Sequence, residues 1–217
     1  MNKLLTFVLL TLAAIGAACS QTTTNGNSMM NHNGMNHNAM MNSNSMNQNA
    51  MPMNHSAMKS DANAATAPYD LQFIDTMIHH HQGAVDMAKM IDGKTQNAEI
   101  IKFGKQIITD QEKEIAQMKD WREKWFAGKP AAMNMEMPGM ADSMKMDMSK
   151  LSNAKDKDFD LMFLDMMTPH HAGAVTMSKE ALTKSEKPEI KTLANNIIKA
   201  QEAEIKMMSD WKAKWSK

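Results

Sequence analysis

Apolar residues recur every three to four positions along this chain, which is the spacing of one helix face. The first such stretch begins at Pro68, and its apolar face contains Phe73, Ile74, Met77, Ala84, Ala88 and Ile91. A second stretch, from about residue 96 to 127, contains Ile100, Phe103, Ile107, Ile108, Ile115, Met118 and Trp125. Gly93 separates the two and Thr95 is placed to cap the second, so the pattern predicts a helical hairpin over residues 68–128.

The hairpin pattern occurs twice. Residues 77–87 read Met-Ile-His-His-His-Gln-Gly-Ala-Val-Asp-Met, and residues 167–177 read Met-Thr-Pro-His-His-Ala-Gly-Ala-Val-Thr-Met. The offset of 90 between Met77 and Met167 holds without a gap to the end of the chain. Residues 155–217 therefore form a second hairpin, and the duplication predicts an all-α, ferritin-like four-helix bundle with pseudo-two-fold symmetry.

Residues 1–19 are typical of an export signal. Lys3 precedes an apolar run from Leu4 to Ile15 that is too short to span a bilayer, and a small-residue site follows. The chain has one Cys, Cys19, directly after that site, which resembles the lipid-modified cysteine of a bacterial lipoprotein. The alternative is ordinary cleavage near Ala18. Either way we expect a protein of the periplasm or cell envelope, and the first interpretation anchors it to a membrane through Cys19.

Two segments, residues 20–67 and the linker 129–154, have low complexity and few aromatic or β-branched apolar residues, so we predict that both are disordered. Both are rich in methionine, of which the chain has 27. The linker contains Met133, Met135, Met137, Met140, Met144, Met146 and Met148. A solvated tether is one interpretation; the one we favour is a flexible strand of soft ligands for Cu(I) or Ag(I), because thioether and imidazole suit such ions.

The remaining composition narrows the function classes. Lys plus Arg and Asp plus Glu number 24 each, so no basic excess points to nucleic acid. No nucleophile motif or phosphate-binding loop is present, and the Glu-x-x-His pair of di-iron bundles is absent. We therefore expect no enzymatic turnover.

The repeated motif supplies the candidate site. Met77, His80 and His81 lie on adjacent turns of one helix face, and Met167, His170 and His171 repeat them. Met87 and Met177 lie about two turns away, as core or as a further ligand layer. The facing helices carry polar residues within one or two turns of each cluster. They are Gln111 and Glu114 in the first hairpin and Gln201 and Glu204 in the second.

This network has two interpretations. The glutamates and glutamines hold the histidines in a purely structural network, or they support a metal site whose imidazole and thioether donors suit copper better than iron or manganese. The repeated Asp75 and Asp165 have no evident role in either interpretation.

The motif from Phe73 and Met77 through His80-His81 to Met87, with its second copy, resembles the domain of unknown function 305 family. That family includes the CopM-type copper-binding proteins of the bacterial cell envelope. The resemblance covers residues 69–126 and 159–216. It implies a ferritin-like helical bundle and, for some members, Cu(I) and Cu(II) binding in copper tolerance.

We therefore expect an exported copper-binding protein that sequesters Cu(I) or passes it on, with Cu(II) and Ag(I) as further ions. An envelope copper-transport protein is the candidate partner. The alternatives are an envelope interaction module with structural His-His motifs and, third, a redox enzyme with a metal site in the bundle.

Overall fold

The computed structural model describes residues 58–217, and four long helices account for most of them. They are α1 (Tyr69–Lys89), α2 (Ala98–Phe126), α5 (Asp156–Lys184) and α6 (Pro188–Trp215). Two short helices lie between α2 and α5, namely α3 (Met140–Ser143) and α4 (Met148–Asn153). A 3₁₀ turn (Ala64–Thr66) precedes α1, and residues 58–217 contain no strand. The predicted all-α bundle of two duplicated hairpins is confirmed. The export signal, Cys19 and the tail to residue 57 lie outside the described residues.

Local sequence sets the ends of the helices. Pro68 immediately precedes α1, where its missing N–H is no loss. Asn97 caps α2 by accepting a hydrogen bond from the Glu99 backbone N–H. Thr95 is therefore not the cap; its hydroxyl accepts instead from the backbone N–H of Asn97, two residues further along the chain. Gly93, with φ of 67°, reverses the chain between the two helices.

Each hairpin buries its apolar stripe against its own partner helix, and the two hairpins meet along α1 and α5. The side chains of Phe73 and Met77 on α1, and of Phe163 and Met167 on α5, are fully buried. The stripes continue to the helix ends, where Trp121 stacks on Trp125 and Trp211 on Trp215, with ring centroids 5.2 and 5.4 Å apart. The burial of both apolar faces places the paired histidines, which share those faces, inside the bundle.

The linker between the hairpins is ordered, so the prediction that residues 129–154 are disordered is wrong. Most of its methionines belong to the core, and those buried are Met133, Met137, Met140, Met144, Met146 and Met148. Met135 is partly buried. The physical reason is that the apolar surface for these side chains comes from the long helices, which no local pattern in the linker reveals.

Hydrogen bonds from α1 hold the start of this linker. The Asp75 carboxylate accepts from the Ala132 backbone N–H at 2.9 Å and from the Arg122 guanidinium at 3.1 Å. The Thr76 hydroxyl accepts from the Asn134 backbone N–H at 2.9 Å. Asp75 therefore has a structural role that the sequence did not disclose. Its repeat, Asp165, lies on the surface and pairs with Lys212 instead.

Residues 58–67, which the sequence analysis placed in the disordered tail, also have defined contacts. The Asp61 carboxylate accepts from the Met133 backbone N–H at 2.7 Å, and the Asp61 N–H donates to the Met133 carbonyl at 2.8 Å. Ala64 is buried beside them. The ordered unit therefore begins before Pro68. Within residues 58–217, no helix has both the length and the apolarity needed to cross a membrane.

Candidate metal centre

The two His-His motifs meet in the middle of the bundle. His80 and His81 come from α1, His170 and His171 come from α5, and all four side chains are fully buried. The ring centroids of His80 and His170 are 3.8 Å apart, and those of each sequential pair are 6.3 Å apart. Four imidazoles thus form one cluster, with His80 and His170 at its centre and one further ring on each side.

The outer ring of each pair is tied to a carboxylate on the facing helix. His81 Nε2 lies 2.7 Å from Glu114 Oε2, and His171 Nε2 lies 2.8 Å from Glu204 Oε2. A carboxylate accepts, so each Nε2 carries a proton, and in the neutral ring the lone pair is then on Nδ1. The predicted proximity of these glutamates to the histidines is confirmed.

The glutamines lie within the same interior but make a different contribution. Gln111 and Gln201 are both buried, as their positions in the apolar stripes predict. Within the described part of the chain, Oε1 of each has no hydrogen-bond partner. The structure thus joins the glutamates, and not the amide oxygens of the glutamines, to the imidazole rings.

The linker contributes a residue that the sequence analysis missed. Ser143 of α3 is buried, and its hydroxyl lies 3.0 Å from His80 Nε2. The same hydroxyl donates to the Met140 carbonyl at 2.9 Å, so it accepts from His80 Nε2–H. The lone pair of the neutral His80 ring is therefore on Nδ1. The periodicity of α1 gives no signal for this contact, because Ser143 lies in a linker whose fold depends on the bundle.

Five ring nitrogens remain without partners. Nδ1 of His80, His81, His170 and His171, together with Nε2 of His170, are buried and find no hydrogen-bond partner among residues 58–217. Buried polar atoms are nearly always paired, so such a concentration in one place calls for a reason. Burial, with the neighbouring histidines as a second cause, holds the pKa of His80 and of His170 well below the usual range of histidine. Both rings are thus neutral near pH 7 and keep a lone pair.

Buried methionines share the interior with these imidazoles. Met77, Met87, Met167 and Met177 of the repeated motifs are fully buried, and Met77 and Met167 lie one helical turn from the paired histidines. Met144, one of the linker methionines predicted to be soft ligands, comes close to the cluster. A Cβ placed on Gly83 would lie 3.2 Å from His170 Nε2 and 3.7 Å from Met144 Sδ. The structure therefore brings this linker thioether and a central imidazole to the same space.

Carboxylates do not complete a hard-metal site here. No group of three or more His, Cys, Asp or Glu in the described range is arranged to hold a metal ion. The four imidazoles do cluster, but two of them direct Nε2 at carboxylates that lie outside the cluster. The donors that the structure does bring to one place are the His170 imidazole and the Met144 thioether, a pair that suits a soft ion such as Cu(I).

The comparisons with known proteins agree on one family. The model of the "Domain of unknown function (DUF305)" matches residues 14–122 and 70–212. Among solved structures, CopM in the Cu(II)-bound form is 42% identical with a TM-score of 0.59, covering 67% of this chain and 97% of that chain. CopM in the Cu(I)-bound form is 39% identical, with a TM-score of 0.58 and coverages of 67% and 96%. Structures of CopM in Ag-bound and apo forms also match.

Two further similarities come from other organisms. A DUF305 protein from Streptomyces coelicolor, named as a candidate secreted protein, is 29% identical with a TM-score of 0.61, covering 69% of this chain and 94% of that chain. An uncharacterized protein, L153, of Acanthamoeba polyphaga mimivirus is 44% identical over 50 residues. That match covers 23% of this chain and spans 33% of the relative, so it reaches only a third of the relative's length.

Proposed function

The chain belongs to the DUF305 family, and from that premise we propose that it binds Cu(I) in the core of its bundle, for sequestration or transfer. The observation that carries the proposal is the set of buried ring nitrogens at His80, His81, His170 and His171 that lack partners within residues 58–217. A bound ion would accept lone pairs from these rings. It would also account for the burial of the neutral His80 and His170 rings in an apolar interior, which is otherwise unfavourable.

The arrangement around the rings supports the same function. A histidine that ligates a metal commonly donates its other N–H to a carboxylate, which fixes the tautomer and raises the basicity of the ring. Glu114 and Glu204 stand in that relationship to His81 and His171. The buried Met77 and Met167 add thioether donors beside the imidazoles. CopM, a relative of this chain, has been solved with Cu(I), Cu(II) and silver, so Ag(I) and Cu(II) are further candidate ions.

Binding without chemical turnover suits a site of this kind. The four imidazole rings are fully buried, which leaves no open face for an organic substrate beside them. Storage or hand-over of an ion requires only that the bundle open locally. We therefore propose a carrier and no enzyme, with an envelope copper-transport protein as its partner.

The proposed location is the bacterial cell envelope. Lys3, the apolar run from Leu4 to Ile15 and Cys19 form a lipoprotein-like export signal. The similar protein from Streptomyces coelicolor is named as a candidate secreted protein. An acyl chain on Cys19 would hold the protein at the membrane surface while the bundle handles the ion.

Anaerobic Cu(I) titration against a competing chromophoric chelator tests the core site. The His80→Ala/His170→Ala variant should lose the tightest Cu(I) bound by the wild type. His79→Ala is the matched control, because His79 lies on the same helix but is exposed. If the double variant retains that tight binding, the proposed site is wrong. If the wild type binds no Cu(I), the histidines form a structural network and the interaction-module alternative is favoured.

We also propose that the methionines and histidines of residues 20–57 capture ions for the bundle. Deleting residues 20–57 removes eight methionines and leaves residues 58–217, which contain the bundle, unchanged. The deletion should lower the number of Cu(I) ions bound while the tightest ion remains. An unchanged stoichiometry would remove the capture role and leave the core site intact.

A further inference from the structure

The linker makes the two central histidines unequal, although the duplication made their positions equivalent. His80 Nε2 donates to Ser143, so only its Nδ1 is available as a donor to an ion. His170 Nε2 has no hydrogen-bond partner in the described part of the chain, and neither has its Nδ1. His170 can therefore present a lone pair on either edge of its ring, and His80 cannot.

A thioether lies at the free edge of His170. Met144 is 1% exposed, and its Sδ and His170 Nε2 both approach the point where a Cβ on Gly83 would stand, at 3.7 and 3.2 Å. The methyl carbon of Met144 is 3.3 Å from that point. Because residue 83 has no side chain, α1 leaves open the small space that these two donors share.

Contacts of the neighbouring residues hold Met144 in place. The preceding residue, Ser143, bonds to His80 and to the Met140 carbonyl. Gly139 and Ser143 both lie against Gly173, where an added Cβ would meet the Gly139 carbonyl at 2.6 Å and Ser143 Cβ at 2.3 Å. The close approach at Gly173 therefore seats α3 on α5 and delivers the next side chain to His170.

We propose that His170 Nε2 and Met144 Sδ form a separate site for a monovalent soft ion, Cu(I) or Ag(I), on the linker side of the histidine cluster. Imidazole nitrogen and thioether sulfur are donors that such ions favour over carboxylate oxygen. The site rests on the proposed copper function and deepens it, because it names a ligand pair that the repeated motifs do not contain.

The two tautomers of His170 allow an ion to pass from the linker-side site to the core cluster. A neutral imidazole has one lone pair in the ring plane, so His170 binds either through Nε2 beside Met144 or through Nδ1 in the core cluster. Moving the ring proton from Nδ1 to Nε2 exchanges one donor for the other. An ion that binds beside Met144 and then moves into the core cluster would thus keep the His170 ring as a ligand before and after the move.

Nuclear magnetic resonance of the full chain, labelled with ¹³C at methionine methyls and ¹⁵N in histidine rings, tests this with Ag(I) as the probe. Silver should shift the Met144 methyl resonance and the His170 Nε2 resonance together, at the first additions. If silver shifts the histidine ring resonances while the Met144 methyl stays unmoved, the linker-side site is overturned and the core site stands.

Variants assign the signals and separate the two proposals. Met144→Leu removes the sulfur with little change in volume, and the shift of His170 Nε2 should be lost while the Nδ1 shifts remain. Gly83→Ala fills the shared space and should give the same loss. Met148→Leu is the matched control, since Met148 is another buried linker methionine, and it should leave both shifts intact. If silver shifts no histidine resonance at all, the copper function itself fails.

Discussion

The rings of His80 and His170 lie 3.8 Å apart in the centre of the bundle, although 90 residues separate them in the chain. Each is the first histidine of a repeated pair, so the duplication itself brings the two together across the hairpin interface. Their shared burial holds both in the neutral form, which is the form that binds metal.

The carboxylates behind the outer histidines should tune the affinity for Cu(I). Glu204→Gln replaces the acceptor of His171 Nε2–H with a neutral amide, and loss of such a supporting carboxylate commonly lowers metal affinity about 10–100-fold. Chelator competition measures the change. Glu202→Gln is the control, because Glu202 lies on the surface of the same helix as Glu204 and pairs there with Lys179 of α5. Equal affinities in the two variants would show that the His171–Glu204 pair is only structural.

The hydrogen bonds of Asp75 should stabilise the ordered linker. Asp75→Asn replaces one accepting oxygen with a donor that faces either the Ala132 N–H or Arg122, so the free energy of unfolding should fall by about 1–3 kcal/mol. Urea denaturation measures it. The repeated position offers the control: Asp165→Asn breaks an exposed pair with Lys212 and should cost about 0–1 kcal/mol. A similar cost at both positions would contradict the assigned role.

A side chain at position 139 should be unfavourable for two reasons, the positive φ of Gly139 and its close contact with Gly173. Gly139 has φ of 90°, and a Cβ there would lie 2.6 Å from the Gly173 carbonyl. Gly128, with φ of 71°, has no atom within 4 Å of an added Cβ. Gly128→Ala should therefore lower the unfolding free energy by about 1–2 kcal/mol, from the backbone alone. Gly139→Ala should lower it by more, and an equal loss would mean that α3 shifts away from α5 without cost.

The stability of the metal-free protein should depend on pH through the central histidines. Because the pKa of His80 and of His170 is lower in the folded protein than the ordinary value of about 6.5, the unfolded chain binds more protons below that pH. The free energy of unfolding is then unaffected by these two groups above pH ~6.5. As the pH falls below that value, it decreases by up to about 2.7 kcal/mol per unit.

Urea denaturation between pH 8 and pH 5 in the presence of a chelator measures this dependence. The His80→Ala/His170→Ala variant lacks both groups, so its stability should change less steeply over the same interval. His79→Ala keeps both buried rings and should retain the wild-type slope. Parallel curves for the wild type and the double variant would show that other groups cause the dependence.

The sequence predicted the helices and the placement of His81 near Glu114, because both follow from periodicity within one hairpin and from its turn at Gly93. It also predicted that the four histidines share buried faces. The roles of Ser143 and Met144 were beyond it, since the linker is positioned by contacts with α1 and α5 that lie far away in sequence. A run of methionines with Pro138 and Gly139 reads locally as an unstructured segment, and only tertiary contacts reveal its burial. The cap of α2 is Asn97 and not the predicted Thr95, because the position of a helix end can be predicted only to within one or two residues.

The differing partners of Asp75 and Asp165 show what joining two equal hairpins in one polypeptide permits. In a dimer of identical hairpins, any substitution would appear on both sides of the axis and would have to suit both. Once fused, one copy is free to hold the connecting segment while the other keeps a plain surface ion pair. Covalent fusion thereby allows the two halves to differ, so that only the α1 side of the bundle holds the connecting segment through this aspartate.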